Sequence, residues 1–224
     1  MNIQTTIVLG IWTLIWVSVL ALVVRGARAK LLSKRLFQVA VGVAGALFIA
    51  CTLLVATSPA APSFSGGVRN QTAMFMLLAA LVPLLFVAAS MAILFHRMWS
   101  AIQGADARTT PGRAVGFLFV PVFNLYWVFQ AIWGWAKDYN AGAATLGSES
   151  PKMPEGFFLS YAILCVVAFA AGTAINLGLF ALAPVLGLVV VVSYFVALTM
   201  IGFICDGVNA RSAEDPTGAA LKGG

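Results

Sequence analysis

Acid is the scarcest chemistry in this chain. Of 224 residues only seven are Asp or Glu and one is His, and charged residues of every kind make up 9%. A soluble domain carries about a quarter charged residues, so there is too little charge here to clothe a globule in water. A lone histidine, His96, excludes a bis-histidine haem or a two-histidine metal site within one chain. At most it could ligate beside Met98 or with a partner's residue; the ordinary reading is an interfacial anchor next to Arg97. The three cysteines, Cys51, Cys165 and Cys205, form no CxxC, no disulfide framework and no zinc spacing, and read as small apolar packing residues. There is no GxSxG, no HExxH, no phosphate loop and no dinucleotide fingerprint. No acid falls in the middle of an apolar run, where an ion-coupled transporter would hold its proton or sodium. These absences leave no catalytic set, and they predict neither a cofactor nor a resident metal.

What is present is apolar: 62% of the chain is hydrophobic. It falls in several runs of about 20 residues, enough to cross a bilayer as helix. The runs are continuous rather than alternating, which argues against a β-barrel. The expected fold is an all-α integral membrane protein with one membrane domain, residues 1–210, and a flexible polar tail, 211–224. Spans are expected near 7–24, 37–57, 73–95, 157–180 and 185–205. The first run lacks a basic segment before it and has Arg25, Arg28 and Lys30 after it, so it reads as a retained span with its N-terminus outside, not a signal peptide. Pro83 lies inside the third span, where a neighbour must satisfy the carbonyl it frees. Gly42, Gly45 and Ala46 in the second would let another helix approach. Net charge is +6. The bases flank apolar runs, so Arg25, Arg28, Lys30, Lys34 and Arg35 are expected to contact anionic lipid, and nucleic acid is not expected as a partner.

Residues 111–140, PGRAVGFLFVPVFNLYWVFQAIWGWAKDYN, pose the topological question. The segment is long enough to span, yet Pro121 and Asn124 sit at its middle. If it spans, six crossings split the 13 Lys and Arg eight inside to five outside; if it returns, five crossings give twelve to one. Basic residues in short loops mark the cytoplasmic side, so five crossings plus a re-entrant or interfacial segment is the expected arrangement, with six as the alternative. Thr109 or Thr110 before Pro111 reads as a helix start. Asn124 could hydrogen-bond a backbone group freed at the turn. From Asn124 onward Trp127, Gln130, Gly134, Lys137 and Asp138 recur at helical spacing and should share one polar, aromatic side.

Residues 96–140, with HRMWSAIQ, TTPGRAVGF, P-x-x-N-x-Y-W and AKDYN, resemble the core block of uncharacterised bacterial multi-pass membrane proteins classed as a domain of unknown function. ICDGVN (204–209) resembles their last span. The resemblance implies a bacterial inner-membrane protein and supplies no activity. A shorter internal echo links GWAKDYNA (134–141) with GFICDGVNA (202–210): each puts Asp and Asn just past an expected apolar helix, as ordinary helix-end punctuation would.

The candidate functional cluster is His96, Arg97, Asp106, Arg113, Asn124, Gln130, Lys137, Asp138, Asp206 and Asn209. With five crossings Asp106, Asp138 and Asp206 share the cytoplasmic side. There they could converge with Arg97, Arg113 and Lys137 to hold a cation or a lipid headgroup, or simply pair charges. The leading expectation is non-enzymatic binding of a membrane or cytoplasmic partner, a lipid, or a second copy of the chain. The alternatives are a pore or facilitator lined by the 121–124 turn, and a lipid-modifying enzyme using His96 with one of the aspartates.

Overall fold

Proline at position 83 removes one backbone donor from the third apolar run, and the fold answers it directly. Helix α1 (Ile3–Arg28) lies against helix α3 (Gln71–Ser100) so that Trp12 Nε1 donates to the carbonyl of Ala79 at 3.2 Å. Ala79 is four residues before Pro83, the carbonyl an i→i−4 ladder loses when residue i is proline. The structure, a computed structural model, describes residues 3–57, 71–103, 107–145 and 150–214.

Helix α2 (Lys34–Thr57) follows a short loop after α1. The chain divides into two units. The first comprises Met1–Arg28 and Arg35–Met91. Its core contains Trp16, Val23, Phe37, Val41, Ala44 and Phe86, with Trp16 and Phe86 rings 4.8 Å apart. Gly45 is buried, whereas Ala46 faces outward.

The second unit comprises Ala29–Lys34 and Ala92–Gly224. After the end of α3 come α4 (Pro111–Gly116) and a 3-10 turn (Phe117–Phe119). Then follow α5 (Phe123–Val128), a π-helical turn (Phe129–Trp133) and α6 (Gly134–Thr145). Helix α7 (Glu155–Asn176), a 3-10 turn (Phe180–Leu182) and α8 (Ala183–Glu214) complete it. Two buried tryptophans brace this unit reciprocally. Trp99 of α3 donates to Ala131 O at 2.9 Å inside the π turn, and Trp135 of α6 donates to Met98 O at 2.7 Å. Each indole satisfies its one donor while burying its whole ring, the arrangement a buried Trp requires. Phe158 of α7 packs against Trp135 with ring centroids 5.5 Å apart.

The chain is an all-α membrane protein. Five helical stretches are long and apolar enough to cross a bilayer: Gly10–Arg28, Lys34–Leu54, Leu78–Ser100, Glu155–Asn176 and Ala183–Glu214. No strand occurs among the described residues. Several expected ends shift. Helix α1 runs on through Arg25 and Arg28, whose charges suit the partly negative C-terminal end of a helix. Helix α7 stops at Asn176, not 180: Gly178 takes a φ of +97°, and the Leu179 amide returns to Ala174 O at 3.0 Å. Asn176 bonds its own helix, at Gly172 O, instead of a neighbouring one. Helix α8 continues to Glu214, so residues 211–214 are helical and not part of a flexible tail; 215–224 lie outside the described residues.

Candidate functional site

The 111–140 segment is a helical hairpin. Thr110 caps α4 with an extended backbone and its hydroxyl accepts from the Arg113 amide at 3.4 Å, while Pro111 occupies the first turn. The chain then breaks at 120–122. Val120 N–H reaches Phe117 O, Phe123 N–H reaches Pro121 O at 2.7 Å, and Asn124 N–H reaches Val120 O at 3.0 Å. Val122 sits at φ +65° and ψ −48°, the centre of a γ-turn closed by the Phe123–Pro121 bond and strained for a β-branched residue. Beyond the break the chain folds back: Trp127 Nε1 donates to Ala114 O at 3.0 Å, and its ring meets Phe117 edge-on and stacks on Phe123. In a continuous helix Ala114 and Trp127 would stand about 20 Å apart along the axis. The Asn124 amide nitrogen of the backbone closes the turn, but its side-chain oxygen is buried without a donor, contrary to the expected side-chain role.

Above this hairpin the described acids are all held by internal partners. Asp138 binds Arg108, whose Nε lies 2.9 and 2.8 Å from its two oxygens and whose Nη2 also donates to it. Arg108 Nη1 donates to Gln130 at 3.2 Å. The guanidinium lies along Gly134, where an added Cβ would come 3.1 Å from Nη1. Gln130, Gly134 and Asp138 thus form one strip that accepts Arg108. The hydrogen bonds Arg108 donates to Asp138 raise its pKa above the ordinary value. Asp206 pairs with Lys34 at 2.7 Å. Glu214 takes Arg211 at 3.3 Å and the Ser150 hydroxyl, and Glu155 accepts from Asn140 at 2.8 Å.

The internal echo acquires a physical meaning. Asn209 grips the backbone of Leu32 at both ends: Leu32 N–H donates to Oδ1 at 2.6 Å and Nδ2 donates to Leu32 O at 3.0 Å. Asn140 grips Met153 in the same way, at 2.8 and 2.9 Å. In each module an aspartate takes a basic side chain, Arg108 from a loop or Lys34 from the start of α2, and a nearby asparagine clamps a loop backbone. These residues lie inside α6 and α8, not past their ends, so they are loop staples rather than punctuation. A third tie holds the 29–34 loop, from Arg97 Nη2 to Ala29 O at 3.0 Å.

The expected cluster therefore comes apart. Arg97, Arg113 and Lys137 do not pair with the described aspartates; Arg108 and Lys34 do. Lys137 lies 3.6 Å from the centre of the Trp133 ring. It leaves the strip of Gln130 and Asp138 because the π turn adds a residue to the helical register between Asn124 and Lys137. Arg113 is exposed on α4, and His96 is exposed with the Ser100 hydroxyl 3.4 Å from its ring Nδ1. Asp106 lies outside the described residues. Lys34, expected at lipid, is tied to Asp206, while Arg25, Arg28, Lys30 and Arg35 are exposed. Burial pushes the Tyr139 phenol up from its ordinary value. Sequence reasoning passed over Arg108, Asn140 and the Trp99–Trp135 brace. Asn140 was visible in the echo, as the partner of Asn209. Compared with family models, with curated proteins and with solved structures, the chain matches none.

Proposed function

We propose that this chain is a multi-pass protein of the bacterial cytoplasmic membrane, N-terminus outside and C-terminus inside, that binds a lipid or membrane partner through its cytoplasmic face and catalyses no reaction there. One observation carries the reading. Every carboxylate among the described residues has an internal partner, whereas Arg25, Arg28, Lys30, Arg35 and Arg113 are exposed and pair with no described acid. Uncompensated cations at helix ends attract anionic headgroups, each contributing about 1 kcal/mol near the surface. Asp138, Asp206, Glu155 and Glu214 are engaged by internal partners, which favours binding over acid–base chemistry at these carboxylates. The bacterial assignment is carried by the resemblance of residues 96–140.

The test is native mass spectrometry of the protein released from nanodiscs of neutral or anionic phospholipid. The wild type should retain anionic lipid, and a variant with Arg25, Arg28, Lys30 and Arg35 replaced by Gln should lose it. Equal retention by both would contradict the reading. A facilitator is the second reading, favoured by the buried, donor-less Asn124 oxygen at the hairpin turn. It predicts a small-solute flux in liposomes that Asn124→Leu abolishes.

A further inference from the structure

The hairpin has a length, a distribution of charge and a surface that together specify what surrounds it. Its first arm, α4 plus the 3-10 turn, is nine residues from Pro111 to Phe119. That is about 15 Å of helix, half of a hydrocarbon core about 30 Å thick. The tip is apolar and exposed: Phe119 is 66% exposed, Val122 76% and Tyr126 58%. Bulky side chains at the tip offer no small-residue surface of the kind that lets another helix approach closely. Charge is confined to the open end, where Arg113 is exposed, Arg108 is tied to Asp138 and Lys137 lies over Trp133. The turn satisfies most of its backbone internally, as hydrocarbon demands. The amides of Val120, Phe123, Asn124 and Leu125 find internal carbonyls and Pro121 has no amide, which leaves the Val122 amide without an internal carbonyl.

We infer that residues 111–133 form a half-bilayer anchor, whose 119–126 tip lies among the acyl chains of one leaflet while Arg113 stands at the anionic headgroups of that same leaflet. The inference rests on the membrane reading above and adds which leaflet region the hairpin occupies and what covers its tip. The occupant is lipid, since the tip is apolar and the base is cationic, the order of layers in a single leaflet. The hairpin then holds α6 at the membrane surface, with the Arg108–Asp138 clamp at its base.

Site-directed spin labelling tests this. In a chain with Cys51, Cys165 and Cys205 replaced by Ala, a nitroxide is placed at Val122→Cys, at Arg113→Cys or at Leu188→Cys. The protein is reconstituted into phosphatidylethanolamine–phosphatidylglycerol vesicles. Collisions with oxygen report lipid, and collisions with a water-soluble nickel chelate report water. Leu188, 66% exposed on α8, is the reference for a bilayer-facing residue. The expected result is that position 122 is open to oxygen and closed to nickel, no deeper than the midplane, with position 113 shallower. Nickel access at 122 with oxygen access at 188 would overturn the anchor and leave the membrane reading standing. Exclusion of both reagents at 122 would mean that protein, a second copy of the chain, covers the tip, and would also overturn it. Nickel access at 188 would overturn the membrane reading itself.

Discussion

Arg108 divides its guanidinium between Asp138 and Gln130, and Gly134 gives it room to do so. A planar fork that binds a carboxylate at two oxygens is poorly replaced by a single ammonium. Arg108→Lys should therefore lower thermal stability in detergent, and Arg108→Ala should lower it more, by on the order of 1–2 kcal/mol with allowance for partial solvent screening. Gly134→Ala should act in the same direction by pushing the side chain off its strip. A lysine variant melting with the wild type would show that the fork is not what holds the loop. This pairing was not legible from sequence because Arg108 and Asp138 are thirty residues apart, and the expected convergence of the aspartates named Arg97, Arg113 and Lys137 instead. Neighbouring residues on a helix point away from each other. Lys137 instead lies over Trp133 one turn back, while the π turn changes the register between Asn124 and Lys137 in a way that periodicity cannot reveal. The aspartates themselves, Gln130 and Asn209 were legible as unusual polar groups in apolar company.

At the scale of elements, two backbone devices carry distinct predictions. Pro83 in α3 needs an outside donor for Ala79 O, and Trp12 of α1 supplies it. Trp12→Phe should cost on the order of 1 kcal/mol beyond any change in packing. Pro83→Ala restores the helix's own amide, so in that background the same Trp12→Phe change should cost measurably less. Thermal unfolding of the four proteins of this cycle decides it, and strict additivity would refute the link. The hairpin turn makes the opposite kind of demand. Val122 pays for a φ of +65° that glycine adopts freely. Val122→Gly should stabilise the fold by about 0.5–1 kcal/mol, after the greater entropy of glycine in the unfolded chain is subtracted. A loss of stability would mean that the valine side chain contributes packing that outweighs its strain. The sequence placed Pro121 and Asn124 at a turn and Thr110 at a helix start, and both placements hold. It could not place the residue at positive φ, because nothing in a valine advertises that conformation.

At the scale of the whole molecule, hydropathy was the strongest signal: the five helices long and apolar enough to cross a membrane coincide with the five expected runs. The running-on of α3 into HRMWS was legible; the end of α8 was less so, because that helix continues past the apolar stretch into polar residues that serve as staples rather than as caps. The charge count predicted that residues 111–140 return, and the fold-back of Trp127 onto Ala114 gives that return a geometry. If the hairpin returns, the loop before α2 and the C-terminal ends of α6 and α8 lie on one side of the membrane. The direct measurement is cysteine accessibility at Ser148, with the three native cysteines removed and an impermeant maleimide added to intact cells. Arg69→Cys is the outside control and Ser33→Cys the inside one. The account predicts that Ser148→Cys stays unlabelled until the cells are opened, as Ser33→Cys does. Labelling in intact cells, at the rate of Arg69→Cys, would mean that the segment crosses, and would contradict the hairpin as a one-leaflet structure.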